Sequence, residues 1–194
     1  VNLIDVTLGG NTAIGTGAAP GNGGGLHVTG TGAIEILRGS VINNLAAEEG
    51  GGLWNGGGPM FIDGTLIDGN IAGGDAADQG GGGIFNKGGI VTIFGGATIS
   101  NNSALGTSGS GGGIFNDTGG VIDIADVDGA VTISGNIANR AGGGIEDNGG
   151  AALFPNVTLD GVTLSDNTAG PAGIAAPGNG GGLHVTGPGS VFIS

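Results

Sequence analysis

The six-residue stretch Gly-Gly-Gly-Ile-Phe-Asn at positions 111–116 decides the fold, because five other segments repeat its design. Each has a run of glycines, one leucine or isoleucine, and in most cases a ring followed by an amide. The aliphatic members are separated by 27, 31, 30, 31 and 38 residues. Self-similarity at such a period is typical of solenoid proteins. The other segments span residues 23–28, 50–55, 81–86, 142–147 and 180–185.

Two further apolar signals occur between the glycine runs and indicate strands. One is a pair of aliphatic residues with one residue between them, such as Val91 and Ile93. The other is a single aliphatic residue three positions before an asparagine, such as Ile99 before Asn102. Alternation with period two is typical of strands. Three short strands in roughly 30 residues predict one coil of a right-handed parallel β-helix, and the chain accommodates about six coils.

The two ends of the sequence match each other. Residues 18–30 are identical to residues 175–187, an offset of 157 residues. The match extends further, so that residues 1–37 are equivalent to residues 157–193. We therefore expect residues 1–194 to be a single β-helix segment of a longer array with a super-repeat of about 156–157 residues. Adjacent repeats, or copies of the chain stacked end to end, are the expected partners, and such stacking propagates as a filament.

Composition excludes several classes of partner. The net charge is −13 and only three residues are basic, namely Arg38, Lys87 and Arg140. Nucleic-acid backbones and anionic membrane surfaces are bound through lysine and arginine, so neither is expected as a partner. No apolar run approaches the length needed for membrane insertion. The chain contains no cysteine and therefore forms no disulfide.

The repeats resemble those of a known group of proteins. The sequence Gly-Gly-Gly-Ile-Phe-Asn, then Val-Thr-Ile, then Thr-Ile-Ser-x-Asn-x-Ala resembles the β-helix passengers of bacterial surface proteins, especially polymorphic outer-membrane protein and adhesin-like repeats. Residues 81–104 and 111–138 fit best, and Glu146 departs from the pattern by replacing the ring. The resemblance implies an extracellular, bacterial cell-surface protein with a structural or adhesive, non-enzymatic function. Host or cell-surface molecules, including glycans, are then possible ligands.

Two sets of asparagines are expected to form structural ladders. Stacked coils bring equivalent amides together, so that each bonds to the next and satisfies the backbone of a turn. In each coil, the asparagine of one set follows the third strand and comes before a small residue. The asparagine of the other set is the last residue of the strand that contains the glycine run. The first set is Asn11, Asn44, Asn70, Asn102, Asn136 and Asn167, and the second is Asn55, Asn86 and Asn116 with Asp147 continuing it.

A column of rings follows the aliphatic residue of each glycine run. Its members include Trp54, Phe85 and Phe115, with His27 and His184 near the ends. If the preceding aliphatic residue points inward, alternation turns these rings outward. An exposed aromatic stripe indicates an interaction surface, for sugars or for a neighbouring rod. The alternative is that the long loop after the third strand covers the rings.

Three other functions are alternatives. A polysaccharide-cleaving β-helix enzyme requires clustered carboxylates with a basic partner, whereas the three basic residues lie on separate coils. An ice-binding solenoid is suggested by the outward pairs Thr98/Ser100, Thr132/Ser134 and Thr163/Ser165, although Leu66/Asp68 interrupts their ranks. No cofactor is expected. Calcium is a possible ligand where carboxylates are grouped: Asp123, Asp126 and Asp128 lie close together, and Asp75 and Asp78 share a loop. The calcium-binding nonapeptide is not repeated, however, which favours solvated acidic loops.

Overall fold

The computed structural model of the chain describes residues 1–15, 20–150, 155–171 and 178–194. Over these residues it is an all-β parallel solenoid of about six turns spaced by about 31 residues, without helices. The predicted β-helix is thus confirmed. The described residues accordingly contain no helix long and apolar enough to cross a membrane.

Each turn of the solenoid contributes one strand to each of its sheets, and the strands of a sheet are all parallel. The long-strand sheet contains the paired aliphatics and is formed by β1 (Asn2–Ile4), β5 (Ile34–Leu37), β9 (Pro59–Asp63), β13 (Ile90–Phe94), β17 (Val121–Ala125), β21 (Val157–Asp160) and β25 (Val191–Ile193). The hydroxyl sheet is formed by β2 (Thr7–Gly9), β6 (Ser40–Ile42), β10 (Leu66–Asp68), β14 (Thr98–Ser100), β18 (Thr132–Ser134) and β22 (Thr163–Ser165). The glycine-run sheet is formed by β4 (Leu26–Val28), β8 (Leu53–Asn55), β12 (Ile84–Asn86), β16 (Ile114–Asn116), β20 (Ile145–Asp147) and β24 (Leu183–Val185).

The structure differs from the prediction by a fourth strand in each coil. These strands are only two residues long and lie between the hydroxyl sheet and the glycine-run sheet. A segment with one residue on each face contains no alternation, so a period-two pattern cannot reveal it. The two-residue sheet is formed by β3 (Thr12–Ala13), β7 (Leu45–Ala46), β11 (Ile71–Ala72), β15 (Ser103–Ala104), β19 (Ile137–Ala138) and β23 (Thr168–Ala169).

The core is a set of aliphatic columns that run along the solenoid axis. Strand pairing places Ile84 directly over Ile114, and Ile114 over Ile145. All three side chains are fully buried, as are Ile99 and Ile133 in the hydroxyl sheet. Burying one such side chain contributes about 1.5–3 kcal/mol relative to exposure. Since each coil covers the next, stability comes mainly from contacts between neighbouring coils.

The glycine run is needed because the backbone turns tightly beside two other strands. Gly111 has a φ of +64°, and a Cβ there would lie 2.5 Å from the carbonyl oxygen of Ile114. A Cβ at Gly112 would lie 2.5 Å from the carbonyl oxygens of both Gly143 and Ile137. Any side chain would therefore push the next coil and the two-residue sheet away.

Candidate interaction surfaces

The ring column is buried, which corrects the expectation of an exposed stripe. Phe85 and Phe115 are 0% exposed and Trp54 is 8% exposed. The Phe85 and Phe115 ring centroids lie 5.0 Å apart with an interplanar angle of 9°, and those of Trp54 and Phe85 lie 6.4 Å apart at 2°. The three rings form a second hydrophobic cluster beside the main core. They turn away from the aliphatic columns and are nonetheless buried.

A carboxylate lies at each end of this cluster. One accepts a hydrogen bond from Trp54, and the other occupies the ring position of the next coil. Nε1 of Trp54 donates to Oε2 of Glu49 at 2.9 Å. Burial raises the pKa of Glu49, and the hydrogen bond from Trp54 opposes that rise. At the other end, Glu146 lies in register with Phe115 and is fully buried. The ring column thus continues as a buried carboxylate.

Arg140 connects Glu146 to the loop after the two-residue sheet. Its Nη2 donates to Oε1 of Glu146 at 3.3 Å and to the carbonyl oxygen of Ala77 at 3.1 Å. Its Nε donates to Oγ of Ser110 at 2.9 Å. His184 contributes Nδ1 at 2.8 Å from Oε2 of Glu146. Because Ala77 and Ser110 belong to the loops of two other coils, this cluster fixes the loops on the ring side of the solenoid.

The two duplicated histidines have different surroundings. Nδ1 of His27 lies 3.0 Å from the carbonyl oxygen of Asn22, and its ring lies 4.3 Å from that of Trp54. His184 instead bonds to Glu146. The two residues lie in the first and last strands of the glycine-run sheet, so they do not form a common metal site.

The first predicted asparagine ladder is present and continuous. In each step, the backbone N–H and Nδ2 of one asparagine both donate to Oδ1 of the asparagine in the next coil. For Asn70 and Asn102 these distances are 3.0 and 2.9 Å. Nδ2 of Asn102 also donates to the carbonyl oxygen of Ile67 at 2.9 Å. The bonded series is Asn11, Asn44, Asn70, Asn102, Asn136 and Asn167.

The second predicted ladder is also present and ends in a carboxylate. Nδ2 of Asn86 donates to Oδ1 of Asn116 at 2.9 Å, and Nδ2 of Asn116 donates to Oδ1 of Asp147 at 2.9 Å. Each asparagine also donates to a glycine carbonyl three or four residues later, as Asn116 does to Gly120. The ladder starts at Asn55, which donates to Asn86.

Two buried oxygen atoms at the ends of this ladder have no partner among the described residues. They are Oδ1 of Asn55 and Oδ2 of Asp147. The preceding and following coils have Val28 and Val185 at the ladder position, and valine has no side-chain donor. Burial raises the pKa of Asp147, while its hydrogen bonds from Asn116 and Gly149 oppose the rise.

Aromatic residues on the outside of the solenoid lie elsewhere than predicted. Phe61 and Phe94 are half-buried on the outer face of the long-strand sheet, and Phe192 on the same sheet is 53% exposed. The ring that follows each glycine run does not predict these outer aromatic residues. The signal was available, since Phe61 lies between two inward residues, Met60 and Ile62, and so must point outward.

The calcium alternative depends on clustered acidic side chains in the described part of the chain. There, no group of three or more histidine, cysteine, aspartate or glutamate side chains could hold a metal ion. Asp75 is exposed and accepts hydrogen bonds from the backbone N–H and Oγ1 of Thr107, which lower its pKa. Arg38 pairs with Asp5 at 3.3 Å, far in sequence and structure from the Arg140 cluster.

The outward hydroxyls of the hydroxyl sheet are in register, as their spacing predicted. Thr98 pairs with Thr132, which pairs with Thr163, and the corresponding serines pair likewise. Oγ of Ser100, however, donates to Oδ1 of Asp68 at 2.6 Å. This hydroxyl is therefore already bonded within the protein.

Comparison with known proteins gave no relative. No protein-family profile, curated protein or solved structure matches the chain.

Proposed function

We propose that the chain is a non-enzymatic structural and adhesive β-solenoid, part of an extracellular filament, sheath or fibre on a bacterial surface. The observation that most supports this proposal is the repeat of the same residues after five coils. The glycine-run sheet begins with Leu26-His27-Val28 in β4 and reaches the same three residues again in β24. Between them, every coil is paired in unbroken parallel register.

A period of this kind lets the coil geometry repeat without a change in packing. The edge strands of an open solenoid present unpaired backbone groups that recruit a further strand. Stacking of the same coil shape, either along a longer chain or between copies, then produces a rod. Five coils correspond to about 24 Å along the axis, from a strand spacing of about 4.8 Å.

The finer proposal, by resemblance, is that these coils are passenger repeats like those of polymorphic outer-membrane and adhesin-like proteins. Antibodies raised against residues 1–194 test the location. We expect gold-labelled antibodies to decorate intact producing bacteria in electron micrographs. Labelling that requires permeabilised cells would contradict an extracellular location.

The rival function is cleavage of polysaccharides. Incubation of the purified chain with uronic-acid and neutral polysaccharides should release no new reducing ends or unsaturated products. Turnover of any of these substrates above that of a heat-denatured sample would overturn the non-enzymatic proposal.

A further inference from the structure

The outer face of the long-strand sheet carries two aromatic rings beside two carboxylates. In β9 and β13 the inward residues are fully buried and the outward ones are half-buried or exposed. Phe61 and Asp63 point outward from β9, and Phe94 points outward from β13. Glu35 points outward from β5, where Ile34 and Ile36 are buried. We call these four residues the Phe–carboxylate patch.

Strand register pairs each ring of the patch with one carboxylate in the neighbouring coil. Glu35 is the partner of Phe61, and Asp63 is the partner of Phe94. Backbones of neighbouring coils lie about 4.8 Å apart, so one cationic group can touch both members of a pair. The two pairs are offset by one coil and by two residues along the strand, which places them roughly 8 Å apart.

The charges around the patch are unbalanced. Among the described residues, neither Glu35 nor Asp63 has a side-chain hydrogen bond or an ion pair. Arg38 is the cation next to the patch in sequence, but its guanidinium pairs with Asp5 of the preceding coil. Arg140 is engaged with Glu146 on the glycine-run side. The patch therefore presents two carboxylates and two half-buried phenylalanine rings on the outer face of the sheet.

This combination favours a positively charged ligand. Ammonium and guanidinium groups are attracted to the face of a phenylalanine ring, and an adjacent carboxylate adds an ion pair. A second copy of this chain is a poor occupant of the patch, because only three of its residues are basic and two of them, Arg38 and Arg140, are already paired with carboxylates. Electrostatic complementarity therefore selects a basic partner.

We propose that the Phe–carboxylate patch binds an extended, basic polypeptide segment of another protein. In an extended segment, alternate side chains lie on one face about 6.6–6.8 Å apart. Lysines or arginines at alternate positions, with their flexible side chains, then reach the two pairs that lie roughly 8 Å apart. This inference names the partner for the adhesive part of the proposed function and in that respect rests on it.

The direct test uses the purified chain and a fluorescein-labelled 12-residue peptide of alternating lysine and threonine. Fluorescence anisotropy gives its affinity at low and at physiological salt. One exposed cation–π contact corresponds to about a two- to fivefold change in affinity. The double variant Phe61→Ala/Phe94→Ala should therefore bind about 4- to 25-fold more weakly. Glu35→Gln and Asp63→Asn should each weaken binding and reduce its dependence on salt.

Phe192→Ala is the matched control. Phe192 lies outward on the same sheet, but its register partner is Thr158 rather than a carboxylate. This variant should bind the peptide as the unaltered chain does. Phe61→Leu and Phe94→Leu keep the apolar cover while removing the ring face, so they replace the alanine variants if those lower the melting temperature.

Three results would overturn the inference. Equal affinity of the double variant and the control would show attraction to the overall charge alone. No binding of the alternating peptide at low salt would exclude the patch as a basic site. Patch-dependent binding of a chitosan oligomer at higher affinity than the peptide would assign the patch to an amino-sugar polymer. None of these bears on where the protein is located or whether it forms fibres, so the proposed function is tested separately.

Discussion

Replacement of Asp147 by asparagine should stabilise the protein at neutral pH. Oδ1 of Asp147 accepts hydrogen bonds from Asn116 at 2.9 Å and from the backbone N–H of Gly149 at 3.1 Å. Oδ2 is buried and has no partner among the described residues. The three ladder asparagines that precede Asp147 each have Nδ2 in place of this oxygen, and that Nδ2 donates to a glycine carbonyl. Asparagine at 147 would remove a buried charge and restore that donor.

The magnitude follows from the cost of a buried polar atom without a partner. Such an atom costs about 1–3 kcal/mol, and more when it is charged. We therefore expect Asp147→Asn to raise the free energy of unfolding by about 1–3 kcal/mol at pH 7–8. Urea denaturation followed by circular dichroism measures the difference. Asp128→Asn, on an exposed loop, is the control and should change stability by less than about 0.5 kcal/mol.

The pH dependence of this difference has a definite sign. Burial raises the pKa of Asp147 in the folded state above the ordinary value of 3.8. Below pH 3.8 the carboxyl is protonated in both the folded and the unfolded states, and the penalty is absent. As pH rises from 3.8 through the raised folded pKa, the unfolded state releases its proton first, so the unaltered protein loses stability. The advantage of Asp147→Asn should appear over this window and then stay constant. A variant that is less stable than the unaltered chain at pH 8, or an advantage that shrinks as pH rises, would contradict a buried-charge penalty at Asp147.

Three further variants test the ladder, the glycine run and the buried ion pair. Asn102→Ala should lower the free energy of unfolding by about 2–4 kcal/mol, because the backbone N–H and Nδ2 of Asn70 both lose their acceptor. Thermal melting measures the effect, and Asn2→Ala, at an exposed position, is the control that should melt like the unaltered chain. Gly112→Ala should abolish folding, since its Cβ would lie 2.5 Å from two carbonyl oxygens; a native far-ultraviolet circular dichroism spectrum would contradict this. Arg140→Met should cost about 3 kcal/mol in urea denaturation, because it removes the guanidinium from the fully buried Glu146, which keeps only His184 and Thr186 as partners. Adding Glu146→Gln should recover part of that loss, and no recovery would argue against a charge penalty at Glu146.

The fold was predictable because the sequence repeats its steric requirements in every coil. The glycine run at 111–113 is needed where the backbone passes close to a neighbouring coil, and paired aliphatics mark the inward positions. The amide ladders were predictable for the same reason. The two-residue sheet was not, because segments such as Ile71–Ala72 are too short to show a period.

The candidate surfaces were less predictable. The period-two alternation correctly predicted that Phe85 points away from the aliphatic core, but alternation predicts only the side of the strand on which a residue lies. Whether that side is covered depends on loops and on contacts such as that of Arg140 with Ala77, which lie 63 residues apart. The same limit hid the Phe–carboxylate patch, because the pairing of Glu35 with Phe61 follows from coil register rather than from sequence proximity.

Cryo-electron microscopy of the assemblies that the protein forms tests the central proposal, that five coils are one structural unit of a continuing solenoid. The expected result is a rod with a strand spacing of about 4.8 Å along its axis and a longer repeat of about 24 Å or a small multiple of it. Antibodies against residues 1–194 should bind along the whole rod. A capped, monodisperse particle, in which the Val1 and Ser194 ends make no contact with a further coil, would contradict it.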